Sequence, residues 1–177
     1  MTSLKDRMIR AAKLDVNLYE EVEADKTAMS QAILVVLISS LGLGLGTISN
    51  GIPGLIWGTL FALGGWYLWA YLVYIIGTKL LPQEQTRSDH GELLRTIGFS
   101  ASPGVLRAFA IIPGLGKVIL FCVSAWMIIA MIIAVRQALD YNNTGRAILV
   151  CVIGWIIQFA VIFTLASVLG LDTFLKS

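Results

Sequence analysis

Charged positions cluster along this chain and leave long apolar intervals between them. No Lys, Arg, Asp or Glu occurs from residue 27 to residue 78, a run of 52 residues. Residues 118–135 and 147–171 are likewise uncharged, over 18 and 25 residues. About 20 apolar residues let a helix cross the hydrocarbon core of a bilayer. As a single helix the first run would be ~78 Å long at 1.5 Å per residue, so it must double back. Ser49-Asn50-Gly51-Ile52-Pro53-Gly54 supplies the turn, since Gly, Pro and Asn punctuate helices. The pattern therefore predicts spans at about 28–48, 53–77, 118–135 and 147–171.

The interval from Glu92 to Gly116 is less regular. Its apolar stretch is long enough to cross, but Pro103, Arg107 and Pro113 interrupt it. An arginine at the bilayer centre costs about 2.5–3.5 kcal/mol on insertion scales, so it faces protein, pairs with an acid or reaches for the interface. Asp140, Glu92 and Asp172 are the candidate partners. A Pro-bent span at about 96–116 is the first expectation. A re-entrant hairpin, tolerated only where protein or water covers its backbone, is the second. Gln158 is the one strongly polar residue of the last span, placed for a bond between helices.

Small residues recur where the first two spans approach: Gly42 and Gly46 on one, Gly54, Gly58 and Gly65 on the other. Such faces let helix backbones touch where lipid offers no hydrophobic drive, which makes these glycines candidate packing positions. The second span also carries Tyr67, Tyr71 and Tyr74 on one face, read either as interfacial anchors or as a stacking surface. Residues 1–26 mix both signs around Leu4, Met8, Ala11, Leu18 and Val22 at helical spacing. They predict an amphipathic cytoplasmic segment, interrupted at Asp15, that either lies on the membrane or forms a solvated tail.

Composition agrees with this reading. The chain is 57% hydrophobic and 14% charged, with mean hydropathy +0.82, against about 25% charge in ordinary soluble domains. A net charge of +2 gives no footprint for nucleic acid. Chemistry has little to work with: one histidine, two cysteines inside apolar runs (Cys122 and Cys151) and no paired carboxylates within a span. Asp89, His90 and Glu92 make poor metal-ligand spacing. Gly114-Leu115-Gly116-Lys117 lacks the remaining glycine and the Ser or Thr of a phosphate loop. No enzyme, cofactor or metal is expected.

Charge also orients the bundle. With five spans and the N-terminus inside, the inner segments hold ten Lys and Arg and the outer ones hold Lys117 and Lys176, with Arg107 unassigned. That satisfies the positive-inside rule. The fold class is an all-α polytopic bundle of five transmembrane helices: residues 1–26 as the cytoplasmic segment and 27–177 as the transmembrane domain.

Several short segments carry a likeness to a known family. They are Leu18-Tyr19-Glu20-Glu21-Val22-Glu23-Ala24-Asp25, Gly91 to Phe99, Ser102-Pro103-Gly104-Val105-Leu106, Ile112-Pro113-Gly114-Leu115-Gly116, and Val135 to Asp140 leading to Thr144-Gly145-Arg146-Ala147. In this order and spacing the chain resembles the prokaryotic branch of the YIP family of Ypt/Rab-interacting membrane proteins. The resemblance implies five spans and a cytoplasmic N-terminus. Eukaryotic members bind lipidated Rab-type GTPases, and their N-terminal motif reads Asp-Leu-Tyr followed by Gly-Pro. Here Val16-Asn17 separate Asp15 from Leu18-Tyr19, and Glu20-Glu21 follow, so a GTPase partner does not carry over.

Three functions fit. The first is a scaffold, adaptor or accessory subunit of a prokaryotic cell membrane that binds a membrane protein partner or its own copy. The second is a small transporter or channel built on a broken-helix site at Arg107. The third is a lipid-handling or membrane-shaping protein.

Overall fold

The computed structural model describes residues 3–46 and 51–168, with side chains at 43–46, 51–55, 165, 166 and 168 left aside. Among the described residues the chain is helical, with no strand. In chain order the helices are α1 (Leu4–Ala12), α2 (Val16–Ala24), α3 (Met29–Gly46) and α4 (Gly51–Ile75), followed by α5 (His90–Ser100), α6 (Gly116–Ala138) and α7 (Thr144–Val168). Three shorter pieces connect them: a 3₁₀ turn at Lys26–Ala28, a π turn at Ile76–Leu80 and a 3₁₀ segment at Ser102–Ile111.

Ile56–Leu80, Gly116–Ala138 and Thr144–Thr164 are long and apolar enough to cross a membrane. A fourth candidate is the pair Val16–Ala24 and Lys26–Gly42, bent by 99° between its halves. Of the turn expected at 49–54, Ser49 and Asn50 lie outside the described residues, as does Asp172, while residues 51–54 already form the first turn of α4.

The irregular interval resolves into two helices of different pitch. α5 begins with a capping box, Asp89 accepting from the Glu92 amide at 2.8 Å while Glu92 accepts from the Asp89 amide at 2.7 Å. It ends where Pro103, lacking an amide hydrogen, follows Ser102. The Ser100 and Ser102 hydroxyls donate back to the carbonyls of Ile97 at 2.7 Å and Phe99 at 2.6 Å. The chain then tightens into ten residues of 3₁₀ helix, well beyond the usual three or four. At Ile112-Pro113-Gly114-Leu115 it reverses, with the Leu115 amide donating to the Ile112 carbonyl at 3.2 Å. Gly114 has φ +78°, the left-handed conformation that a type II turn needs after proline. α6 returns alongside.

At 1.5 and 2.0 Å per residue, α5 and the 3₁₀ segment together cover ~36 Å, against ~35 Å for α6.

Close approach between helices uses glycine at one of the expected positions, Gly42, but against a different element from the one expected. A Cβ on Gly42 would lie 3.0–3.1 Å from the carbonyl oxygens of Gly104 and Val105. One on Gly104 would run into the Ser39 hydroxyl. The α3 glycine thus packs the 3₁₀ segment. Nothing described lies within 4 Å of a Cβ built on Gly58 or Gly65, so these two border empty space. Gly46 and Gly54 fall among the positions left aside.

Residues 3–26 fold as a helical hairpin against the bundle. Ser3 and Asp15 cap α1 and α2. Ala11, Leu18, Tyr19 and Val22 are fully buried in a core shared with Ala28, Ala32, Val35, Phe99 and Ala134. Near its turn, the Ala12 carbonyl accepts a 2.8 Å hydrogen bond from Trp126 Nε1, midway along α6. The hairpin therefore lies along the flank of the bundle. A second core joins α4, α5, α6 and α7 around Val73, Ile76, Leu93 and Leu139.

Candidate functional site

Three arginines are drawn into the molecule, and their surroundings differ. Arg7 stands on the same face of α1 as Leu4, Met8 and Ala11 and is 4% exposed. Its Nε and Nη2 donate to Glu21 Oε1 at 3.1 and 2.9 Å, Nη2 also to Asp25 Oδ2 at 2.7 Å, and Nη1 to Gln31 Oε1 at 3.0 Å. The other oxygen of Glu21 takes Arg10 Nη1 at 2.6 Å, while Arg10 Nε donates to Asp15 at 2.8 Å. Bonds from the Thr27 hydroxyl, and then from Arg7, hold the Asp25 carboxyl down at about 2.

Arg95 is 5% exposed. Its Nε donates to the Val22 carbonyl at 2.8 Å and its Nη2 to the Glu23 carbonyl. These are the free carbonyls at the C-terminal end of α2, where the helix dipole also favours a cation. Beside them the Glu23 carboxyl is pushed up to about 8, by burial first and then by Asp140, Glu20 and Glu92, with Arg95 opposing.

Arg107 has neither arrangement. It sits in the 3₁₀ segment and lines a cavity of about 700 Å³ between α3, α4, α5, α6 and α7. Its Nη2 donates to the Ser124 hydroxyl at 3.1 Å, and its Nε is buried with no partner. Among the described residues it makes no ion pair. Glu92 is committed to its capping box. Asp140, at φ +53°, borders a separate shallow polar depression with Glu20, Arg136 and Gln137. Ser124 lies eight residues into α6, so Arg107 sits ~12 Å along that helix from its start.

The cavity wall includes five aromatic or thioether residues, Trp66, Trp69, Trp155, Met127 and Met131, among serine and threonine hydroxyls. Trp69 and Trp155 stack with centroids 5.8 Å apart. Trp69 Nε1 is buried without a partner. Gln158, Ser39, Gly58 and Gly65 complete the part of the wall that matters here. The structure thus brings Arg107 and Gln158 to one space and leaves Asp140 elsewhere. Pro103 and Pro113 bracket the 3₁₀ segment that carries Arg107.

The tyrosine face of α4 is occupied by His90. Its ring meets Tyr67 and Tyr71 edge-on at 4.9 and 5.6 Å, and Tyr74 at 6.3 Å. Cys122 is exposed on the bundle and Cys151 is buried, both as free thiols.

The polar end of the molecule is laced together across sequence. Gln85 Nε2 donates to the Asp140 carbonyl at 3.1 Å, and Gln83 Oε1 accepts from the Asn142 amide at 3.1 Å. Arg146 Nη1 donates to the Pro82 carbonyl at 3.2 Å, and Gln137 donates to Glu20. Tyr141, on the connector between α6 and α7, donates to the carbonyls of Gly77 and Leu81 at the π turn. Sequence reading passed over Arg7, Arg95, Trp126 and Tyr141. A signal for Arg7 was present, since it falls at apolar positions of a helical face.

No curated protein and no solved structure matches this chain. A family model does: the Yip1 domain, over residues 19–166.

Proposed function

The chain belongs to the Yip1 domain family, and from that premise we propose that it is a non-enzymatic adaptor or accessory subunit of a prokaryotic cell membrane. It has five spans, α3, α4, the α5–3₁₀ pair, α6 and α7, with the N-terminus in the cytoplasm. The equal lengths of the α5–3₁₀ pair and α6 support the count, and the ten-to-two charge distribution supports the orientation.

The adaptor reading rests on one observation. α2, the end of α6, the loop before α5 and the connector before α7 form a polar surface cross-linked by hydrogen bonds between distant segments. A surface already ordered loses little conformational entropy when a partner docks, which is what recruitment favours. Leu18 and Tyr19 are fully buried, so these two positions are not offered to a partner. Contact falls instead to exposed residues such as Glu84 and Arg87.

The test is extraction of the native protein in mild detergent with mass identification of what stays bound. A stoichiometric protein partner, released when Glu84 and Arg87 are charge-reversed, is the expected outcome. Recovery of only this chain and lipid sinks the adaptor reading. The Arg107 cavity favours a second reading, a small transporter. Its measure is solute flux into liposomes, which Arg107→Leu abolishes; flux no greater than that of empty liposomes across a broad panel ends it.

A further inference from the structure

We propose that the Arg107 cavity is a binding site for an anionic amphiphile. Its phosphate or carboxylate sits on Arg107, and its apolar chain lies along the tryptophan–methionine wall. This inference stands apart from the adaptor reading and survives its failure.

The argument starts from what Arg107 lacks. A guanidinium carries five donors in a fixed fork, and here, among the described residues, only Nη2 has a protein partner, a neutral hydroxyl. Nε is buried and empty-handed. No carboxylate among the described residues lines the space. A cation taken from water into an apolar bundle costs free energy unless it is paired, and the two other sequestered arginines show how this chain satisfies such a group when the pairing is internal. Arg107 lacks that pairing. Trp69, whose Nε1 is likewise buried without a partner, lines the same cavity. A guanidinium at a cavity wall calls for an acceptor, and its planar fork suits the oxygens of phosphate or carboxylate.

The remaining walls set the rest of the ligand. Trp66, Trp69, Trp155, Met127 and Met131 offer a hydrocarbon-like surface, which a small inorganic anion would leave unfilled. A volume of about 700 Å³ lies within the range of sites for organic ligands, roughly 300–1,000 Å³. Gly58 in the wall is exposed. The glycines also explain why there is room. Gly58 and Gly65 line the cavity, and nothing described stands within 4 Å of where their Cβ atoms would be.

That geometry provides a clean variant. Gly65→Leu projects into the cavity from a position where a Cβ meets no described atom within 4 Å, and it replaces a poor helix former with a good one. Arg107→Gln removes the charge. The probe is phosphatidylglycerol, titrated onto the full-length protein in non-ionic detergent and read by native mass spectrometry. Fold is monitored by circular dichroism, with Lys117→Gln as the surface-charge control. The expected result is one retained lipid per chain. Its affinity falls about tenfold or more in Arg107→Gln, as loss of a desolvated charge-assisted bond implies. It falls comparably in Gly65→Leu and is unchanged in Lys117→Gln. Equal retention by wild type and both cavity variants marks ordinary surface lipid and overturns the proposal. So does displacement of the lipid by inorganic phosphate that itself binds in an Arg107-dependent way, which assigns the site to a soluble anion.

Discussion

Arg7 and Arg107 are both arginines inside a membrane protein, and the chain treats them in opposite ways. Arg7 is met by two carboxylates and an amide, with Arg10 and Asp15 extending the network. Arg107 is met by one serine hydroxyl and a void. Arg95 belongs with Arg7, its fork filled by main-chain carbonyls. The contrast separates two uses of the same side chain. A satisfied guanidinium fastens one segment to another, whereas an unsatisfied one beside a cavity is poised for something that is not part of the chain.

Arg95→Ala gives the largest expected effect. It strips partners from two carbonyls at the end of α2 and opens a hole beneath it, for a loss of about 3 kcal/mol or more. Thermal unfolding in detergent reads this directly, and a loss below about 1 kcal/mol would break the claim that Arg95 fastens the hairpin. Arg7→Met comes next, at roughly 2–3 kcal/mol, below the full penalty for breaking a buried pair because Glu21 and Asp25 keep about a third of their side-chain surface in water. Limited proteolysis between α1 and α2 should become faster in the same variant.

Glu23→Gln acts in the opposite direction and depends on pH. The folded-state value of about 8 lies above that of an unfolded glutamate, so the folded chain prefers the protonated acid. Stability is full below pH ~4 and declines as pH rises through 8. The amide variant should therefore melt a few degrees higher than wild type at pH 8.5 and no higher at pH 4. A pH-independent difference would mean that Glu23 has lost its buried, acid-rich surroundings.

The smallest effect belongs to Arg107→Leu. Removing an unpaired donor from an apolar space relieves a desolvation cost and forfeits one neutral hydrogen bond worth about 1 kcal/mol. The melting temperature should stay within a degree or two of wild type, or rise. A loss as large as that of Arg7→Met would place Arg107 with the fastening arginines and erase the comparison.

Much of the architecture was legible in the chain. Uncharged runs marked α4, α6 and α7, because a bilayer rejects charge whatever the neighbours are. Pro103 and Pro113 marked the two ends of an irregular segment, because a missing amide hydrogen and a glycine turn act locally. Asp15 marked the break between α1 and α2 for the same reason: an N-cap is satisfied by the next two or three residues.

Partners were not legible. Gly58 and Gly65 matched a packing motif, yet a glycine looks identical in sequence whether a helix or a void lies against it. Arg107 suggested a mate in Asp140 or Glu92, but those acids are held at the polar end, one beside Glu20 and Gln137, the other in a helix cap. In sequence Arg7 and Arg95 count only among the inner charges, because their partners Glu21, Asp25 and the α2 carbonyls are set by the fold. The sequence by itself determined which segments are apolar and where the backbone must turn, since those follow from local hydration and covalent geometry. Which charges are satisfied, and where a cavity is left, depended on contacts between residues tens of positions apart, and only the tertiary structure decided that.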